Sequence, residues 1–274
     1  MDKQNEGGLR LPTAHGMWVA LDVVPSTGST NADLLARAAE PGSPEGQVLV
    51  AEEQTAGRGR LGRSWSSEPG ASLTFSVLLR PAAVPAARRG WLTLLTGVAV
   101  ASAVRSTGRV DAVLKWPNDV LAGDRKLAGI LAEQTPDGSA VVIGTGLNVA
   151  TAPSDLPVSA AGLAATSLRA EGATVSREDL LLDVLTQMER WYAAFRADPD
   201  PGRSGLLDAY RALCSTLGRT VRVELPAGGG LTGVARDIDA DGRLLVAVGP
   251  GDSVTPVSAG DVVHVRAPGQ RTAG

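Results

Sequence analysis

Three arginines alternate with three glycines in the segment from Gln54 to Trp65, which reads Gln-Thr-Ala-Gly-Arg-Gly-Arg-Leu-Gly-Arg-Ser-Trp. Guanidinium groups stay charged and suit carboxylates and phosphates, and glycine lets a backbone approach a ligand closely. Between two apolar runs, this segment predicts a mobile loop that binds an anion. From these residues alone, a solvated basic loop or a short RNA-binding Gly-Arg stretch is an equal alternative. The residues concerned are Gly57, Arg58, Gly59, Arg60, Gly62 and Arg63.

Two lysines lie eleven residues apart in a chain that otherwise prefers arginine. Only three of the 26 lysine and arginine residues are lysine, and Lys115 and Lys126 are two of them. A GC-rich coding bias accounts for the imbalance itself. Because lysine carries a compact point charge where arginine carries a flat fork, the two positions raise the question of what arginine does not provide there.

Further polar groups lie near the ends of predicted strands, where sheets tend to gather binding sites. Ser29 and Thr30 precede a helix, for which either hydroxyl is also placed as the N-cap. The motif Lys-Trp-Pro-Asn-Asp ends at Asp119, and Gly-Thr-Gly-Leu-Asn ends at Asn148. These groups supply cations for phosphates, glycines for close approach and an aromatic face for a base. The residues alone therefore predict a nucleotide-activating transferase.

Composition limits the classes of protein that remain. The chain has 274 residues, 43% of them hydrophobic, and a net charge of −3, which argues against a general nucleic-acid or membrane-surface protein. A single cysteine, Cys214, excludes an intrachain disulfide framework, fits a reducing compartment and is expected to be buried filler. No apolar run reaches the roughly 20 residues of a membrane span, and no signal-peptide pattern is present. The expected location is the cytoplasm.

Several familiar motifs are absent or incomplete. The segment from Asp237 to Gly242 imitates the first half of a calcium loop, but Val248 stands where a bidentate glutamate belongs, so a hairpin turn is expected. His15 and His264 have no partners at the spacing of zinc ligands, so no zinc site is expected. Neither a G-x-S-x-G elbow nor a phosphate-binding P-loop occurs.

Apolar periodicity predicts an α+β fold with a mixed, largely antiparallel sheet and flanking helices. Short strands after residue 217 predict a small C-terminal β-barrel. The expected division is a disordered tail over 1–17, a catalytic domain over 18–217, the barrel over 218–266 and a second tail over 267–274. The predicted strands are 18–24, 46–53, 71–80, 110–116, 126–133 and 140–148, and the predicted helices are 32–39, 91–106, 177–196 and 206–215.

Five motifs, taken in order, resemble those of bacterial biotin–protein ligases. They are S-T-N-A (29–32), A-E-E-Q-T-A-G-R-G-R-L-G-R-S-W (51–65), K-W-P-N-D (115–119), K-L-A-G-I-L-A-E (126–133) and I-G-T-G-L-N-V (143–149). The resemblance covers roughly residues 22–266. It implies a catalytic domain of the biotin/lipoyl ligase type, similar to class II synthetases, followed by an SH3-like barrel.

The resemblance also implies the reaction. Such enzymes join biotin to ATP, with Mg²⁺ on the triphosphate, to form biotinyl-5′-AMP and pyrophosphate. They then transfer biotin to one lysine of a biotin carboxyl carrier domain of acyl-CoA carboxylases. A monomer or weak homodimer is expected.

Site roles follow from the resemblance residue by residue. Lys126 and Arg60 are the expected catalytic residues. The biotin pocket is expected to contain Ser29, Thr30, Gln54, Gly57, Arg58, Arg60, Lys126, Gly129 and Gly144. The ATP or adenylate side is expected to contain Arg58, Arg60, Arg63, Trp65, Lys115, Asn118, Asp119, Lys126 and Asn148, with Trp65 stacking on adenine. No protein metal site is expected.

Three alternatives bear on this interpretation. Some family members carry an N-terminal DNA-binding module of about sixty residues; only about twenty precede the first predicted strand, so we expect a ligase without repressor function or DNA partner. A lipoate or octanoate ligase shares the fold, but its arginine and triple-glycine motif is missing. A non-enzymatic Gly-Arg nucleic-acid binder is disfavoured by the negative net charge.

Overall fold

The computed structural model describes residues 16–66, 68–156, 163–225, 229–249, 253–258 and 260–265. Most of both predicted tails lies outside these residues. Met17, at the end of the first predicted tail, donates its backbone N–H to Glu189 Oε1 at 3.0 Å. Among the described residues, no helix is both long and apolar enough to cross a membrane.

Seven strands form the main sheet, in the order β1-β2-β3-β7-β6-β5-β4. The pair β1–β2 is parallel and the other pairs are antiparallel, which confirms the predicted mixed, largely antiparallel sheet. The strands are β1 (Ala20–Val24), β2 (Gln47–Ala51), β3 (Ser72–Leu79), β4 (Ala112–Lys115), β5 (Asp119–Ala122), β6 (Arg125–Gln134) and β7 (Val141–Asn148).

The strand β5 was not predicted, and the strand expected over 110–116 ends one residue early. Trp116 lies in a turn, with a cis peptide bond before Pro117, that joins β4 to β5 as a hairpin. Four-residue strands on either side of a tight turn carry too short a pattern to be separated from the turn itself. The hairpin places Lys115 directly opposite Asp119.

Within the described residues, four α-helices lie on the two sides of the sheet. They are α1 (Thr30–Ala38), α2 (Gly90–Ser106), α3 (Arg177–Ala197) and α4 (Leu206–Leu213). Helix α2 is apolar on nearly all sides because it lies between the sheet and α3. Helix α1 packs on the opposite face, against β3 and β7. Ser29 caps α1, accepting from Ala32 N at 3.4 Å, and Ser176 caps α3, accepting from Asp179 N at 3.2 Å.

A second, five-stranded antiparallel sheet follows α4 in the order β11-β10-β9-β8-β12, consistent with the predicted small barrel. Its strands are β8 (Thr220–Glu224), β9 (Gly230–Ile238), β10 (Leu244–Ala247), β11 (Val254–Val257) and β12 (Asp261–His264).

The calcium-like segment is the hairpin turn between β9 and β10, as predicted. Asp239 uses its carboxylate within the turn, accepting from the N–H groups of Asp241 and Arg243 at 2.9 Å each. Two buried indoles hold this turn against the main sheet. Trp91 Nε1 donates to Ala240 O at 3.0 Å and Trp116 Nε1 to Gly242 O at 3.1 Å.

Candidate active site

A cavity of about 100 Å³ lies between the Gly-Arg segment and the main sheet. Most of the predicted site residues line it, although they come from five separate stretches of chain. Three predicted residues, Gly57, Lys115 and Asn148, lie outside the lining. Those that line it are Ser29, Thr30, Gln54, Arg58, Arg60, Arg63, Trp65, Asn118, Asp119, Lys126, Gly129 and Gly144.

One end of the cavity is a buried network of uncharged polar groups. Gln54 Oε1 accepts from Thr30 N at 2.8 Å and from Thr30 Oγ1 at 3.0 Å. Ser76 Oγ lies 2.7 Å from Thr30 Oγ1 and donates to Asn31 Oδ1 at 2.6 Å. A fixed set of donors and acceptors without net charge suits a small neutral polar group.

Asn31 and Ser76 were not predicted as site residues. Asn31 Nδ2 donates to Leu131 O at 3.1 Å and to Glu133 Oε2 at 2.8 Å. Gly144 makes room for it, because a Cβ at that position would lie 2.3 Å from Asn31 Oδ1. The available signal was the asparagine that follows Ser29 and Thr30 at the start of α1, and the serine in the middle of β3.

The other end of the cavity is cationic. Lys126 Nζ lies 2.7 Å from Asp119 Oδ1, and Lys115 Nζ lies 3.8 Å from Asp119 Oδ2. Burial lowers the pKa of Lys115; Asp119 opposes the shift, and nearby Lys126, Arg63 and Arg60 add to it. Burial likewise lowers the pKa of Arg60; Asp119 opposes this shift, and Arg63 adds to it. Four cations therefore lie together at this end of the cavity, and an anion placed among them would be stabilised.

The Gly-Arg segment lies across this cationic end as a lid, which we define as residues 54–65. Arg60 Nη1 donates to Asn118 Oδ1 at 3.0 Å, and its Nη2 donates to Gly260 O of the barrel at 3.3 Å. Arg58 pairs with Glu133 at 3.2 Å. At the tip, Leu61 is exposed and has a φ of 55°, a left-handed conformation that non-glycine residues seldom adopt.

Trp65 closes the lid onto the sheet. Its indole lies over Gly129 and Gly146, which are paired across β6 and β7. Lys126 Nζ is 6.0 Å from the centre of the ring. Within the described part of the chain, Trp65 Nε1 is buried without a hydrogen-bond partner, so a donor is available to a ligand. The stacking of Trp65 on adenine stays a prediction.

We expect Gly146→Ala to displace this indole. The new Cβ would lie 2.2 Å from Cε2 of Trp65, well inside the 3.5–4.0 Å of ordinary carbon contacts, so the ring must move by about 1 Å or more. Acrylamide quenching of tryptophan fluorescence should then report increased exposure of one tryptophan. Gly59→Ala is the matched control, because its Cβ would meet no atom closer than 3.5 Å. Equal quenching of Gly146→Ala and the parent protein would contradict this position of Trp65.

A strap of residues 164–168 ties two predicted nucleotide-side residues together. Lys126 N donates to Ala164 O at 2.8 Å, and Thr166 N donates to Lys126 O at 2.8 Å. Asn148 Nδ2 donates to Thr166 O at 2.9 Å, and Leu168 N donates to Asn148 O at 3.1 Å. Part of the connection from β7 to α3 is thus an ordered support, whereas 157–162 lies outside the described residues. The role of Asn148 toward adenine stays a prediction.

Fold and site together define the class: an α+β protein with a mixed sheet, whose cavity joins a neutral polar end to a cationic end beneath a basic lid. Residues 23–149 match the model of the biotin/lipoate A/B protein ligase family, and residues 216–265 match the biotin protein ligase C-terminal domain. The chain belongs to this family, and within it to the biotin protein ligases.

Individual relatives agree with this assignment. The chain is 46% identical to the biotin–[acetyl-CoA-carboxylase] ligase of Mycobacterium tuberculosis, over 91% of this chain and 90% of that protein. It is 35% identical to the bifunctional ligase/repressor of Escherichia coli, over 82% of this chain and 68% of that protein. The Aquifex aeolicus biotin protein ligase, solved in complex with biotin and ATP, superposes with a TM-score of 0.73 at 26% identity, covering 90% and 99% of the two chains.

These matches confirm a ligase, and they bear on both alternative functions. Relatives named for biotin match along nearly the whole chain, including the barrel, which favours biotin over lipoate. The Gly-Arg segment is a lid over an enzyme cavity, which removes the basis for a nucleic-acid-binding stretch.

Proposed function

We propose that the protein activates biotin with MgATP to biotinyl-5′-AMP and pyrophosphate. It then transfers biotin to a lysine of the biotin carboxyl carrier domain of acyl-CoA carboxylases. The observation that carries this proposal is the cavity with two unlike ends: a neutral polar network beside four cations around Asp119. The neutral end suits the ureido ring of biotin, and the cationic end suits its carboxylate and the phosphate of the nucleotide.

In the first step, a carboxylate oxygen of biotin attacks the α-phosphorus, and the bond from that phosphorus to the bridging oxygen of pyrophosphate breaks. Two anions approach each other, so negative charge on the phosphoryl oxygens must be stabilised. Lys126 provides a compact ammonium in the lining of the cavity at its cationic end. To do so it exchanges its contact with Asp119 for one with the substrates.

Arg60 and Arg63 supply the remaining positive charge. Arg60 already bridges the lid to Asn118, so it is placed to close over an adenylate phosphate. Ser29, Thr30 and Gln54 are assigned to the biotin side. Gly57, Arg58, Gly129 and Gly144 complete that side, and Trp65, Lys115, Asn118, Asp119 and Asn148 are assigned to the nucleotide.

Mg²⁺ enters as part of the substrate. Among the described residues no group of three or more His, Cys, Asp or Glu side chains is arranged to hold a metal ion. Asp119, the carboxylate in the cavity lining, is already engaged by two lysines. Mg²⁺ prefers few protein ligands when it is bound to substrate phosphates. Magnesium carried on the triphosphate therefore agrees with that arrangement.

In the second step, the uncharged amine of the carrier lysine attacks the biotinyl carbonyl carbon. The bond from that carbon to the phosphate oxygen breaks, AMP leaves, and the amine loses a proton as the amide forms. The mixed anhydride also reacts with water and with other amines, so the lid must retain it until the carrier arrives.

The remaining parts of the proposal concern organisation. We place the catalytic domain at 18–217 and the barrel at 218–266. We expect the enzyme to act in the cytoplasm as a monomer or a weak homodimer. Size-exclusion chromatography with light scattering measures the oligomeric state directly.

A single assay tests the activity. Purified protein, biotin and MgATP are incubated with a carrier domain, and the carrier mass is measured. We expect a gain of one biotin on the acceptor lysine, none on its Lys→Arg variant, and none when ATP is omitted. Modification by lipoate in place of biotin, or no modification at all, would contradict the proposed function.

A further inference from the structure

Two side chains, a buried threonine and a half-buried histidine, connect the last strand of the barrel to the turn between β4 and β5. The backbone N–H of Trp116 donates to Thr216 Oγ1 at 3.0 Å. On its other side, Thr216 Oγ1 lies 3.1 Å from Nε2 of His264 in β12. Thr216 is fully buried, so its hydroxyl has no water to replace these partners.

The same turn is held by the barrel at a second point, the hydrogen bond from Trp116 Nε1 to Gly242 O. The backbone of Trp116 is thereby fixed by Thr216, which in turn contacts His264 of the barrel, and its side chain is fixed by the barrel directly. Its neighbours in the turn are Lys115, Asn118 and Asp119, all assigned above to the nucleotide side. A shift of this backbone would move three nucleotide-side groups and leave the neutral end of the cavity unchanged.

We infer that His264 is a positioning residue for ATP: acting through Thr216, it fixes the backbone of the turn that carries Lys115, Asn118 and Asp119. This inference rests on the proposed function. His264 does not line the cavity, so its effect is indirect. Through His264 the barrel contributes to the first step, the formation of the adenylate, and this role is distinct from binding the carrier.

The surroundings keep this imidazole uncharged. Burial lowers the pKa of His264 to about 4, and Arg219 before β8 and Lys115 on β4 act in the same direction, against Asp124 in the turn between β5 and β6. A neutral ring avoids adding a fifth cation next to the cationic end. The imidazole therefore stays uncharged, the form that positions Thr216, throughout the neutral pH range.

The test compares the KM for MgATP with the affinity for biotin. The rate of pyrophosphate release gives the KM for MgATP, and calorimetry without ATP gives the affinity for biotin. We expect His264→Ala and Thr216→Val each to raise the KM for MgATP about tenfold, the effect of losing one buried hydrogen bond, with biotin affinity unchanged within about twofold. Val263→Ala, at an exposed neighbouring position on β12, should match the parent protein.

Rescue distinguishes positioning from general stability. Thr216→Ser keeps the hydroxyl, and His264→Gln keeps a group able to donate and accept, so both should restore the KM for MgATP to within about twofold of the parent value. Unchanged KM for MgATP in Thr216→Val and His264→Ala would overturn the inference, as would equal losses for biotin and ATP. If His264→Ala does not fold, the Thr216→Val and Thr216→Ser pair decides. If the parent protein forms no biotinyl adenylate, the proposed function fails, whatever the variants do.

Discussion

Replacing Lys126 by glutamine should slow the formation of biotinyl adenylate by a hundredfold or more. Lys126 is an ammonium in the lining of the cavity at its cationic end, 2.7 Å from Asp119. Removing one preorganised charge that stabilises developing negative charge costs about 3 kcal/mol, which corresponds to a factor of about a hundred in rate. Pyrophosphate release at saturating biotin and MgATP measures this step.

Arg125→Gln is the matched control for this prediction. Arg125 is the adjacent residue and carries the same charge, but its side chain is half-exposed and pairs with Glu171 at 2.8 Å. An exposed pair of this kind contributes little, so the control should keep nearly the full rate. A loss of less than tenfold in Lys126→Gln, or an equal loss in both variants, would remove Lys126 from the catalytic role. Supplying biotinyl-5′-AMP directly would show whether the second step survives.

Replacing Arg60 by glycine should convert a specific ligase into one that releases its intermediate. The variant loses the hydrogen bonds from Arg60 to Asn118 and to Gly260 O, and with them the closed position of the lid. It also loses a cation that would hold the adenylate phosphate. Biotin should then appear on unrelated proteins such as serum albumin, at least about tenfold more than with the parent enzyme, as detected by streptavidin blotting.

Leu61→Gly separates flexibility from charge in this experiment. Leu61 is exposed and left-handed, so glycine there relaxes the backbone of the lid without removing a contact of the guanidinium. We expect this variant to stay specific for the carrier. If Arg60→Gly still forms adenylate and yet labels only the carrier, the lid does not retain the intermediate through Arg60.

Acidification should destabilise the folded protein through His264. Its folded pKa of about 4 lies below the ordinary value of 6.5, so the unfolded chain binds the extra proton more readily. The stability gained from a neutral His264 is complete above pH 6.5 and is lost as the pH falls toward 4. After allowance for partial exposure, the loss is on the order of 1–2 kcal/mol. Urea unfolding of the parent protein and His264→Gln should show this acid step only in the parent; the same step in both would assign it elsewhere.

Local patterns were enough to predict most of the fold. The apolar run of α2 and the capped amphipathic helix α3 were predicted with ends within one or two residues of those observed. The turn from Asp237 to Gly242 was correctly separated from a calcium loop because its flanks alternate as strands do. Residues close in sequence decide such features, so a single chain is sufficient evidence for them.

The parts that were missed depend on contacts between distant residues. Asn31 meets Glu133 across 102 positions, and Ser76 meets Asn31 across 45. The position of the Trp65 indole depends on the register between β6 and β7 that pairs Gly129 with Gly146. Sequence motifs identified which residues gather at the site, but sheet register decides which of them touch.

The contact of Arg60 with Gly260, described for the lid, has a consequence during protein synthesis. The lid belongs to the first quarter of the chain, whereas its acceptor carbonyl lies about two hundred positions later, shortly before β12. A chain that is cut short before Gly260 lacks this closing contact and also lacks His264. The order of residues along the polypeptide thus makes one of the two hydrogen bonds that hold Arg60 form only after nearly all of the described chain has been synthesised.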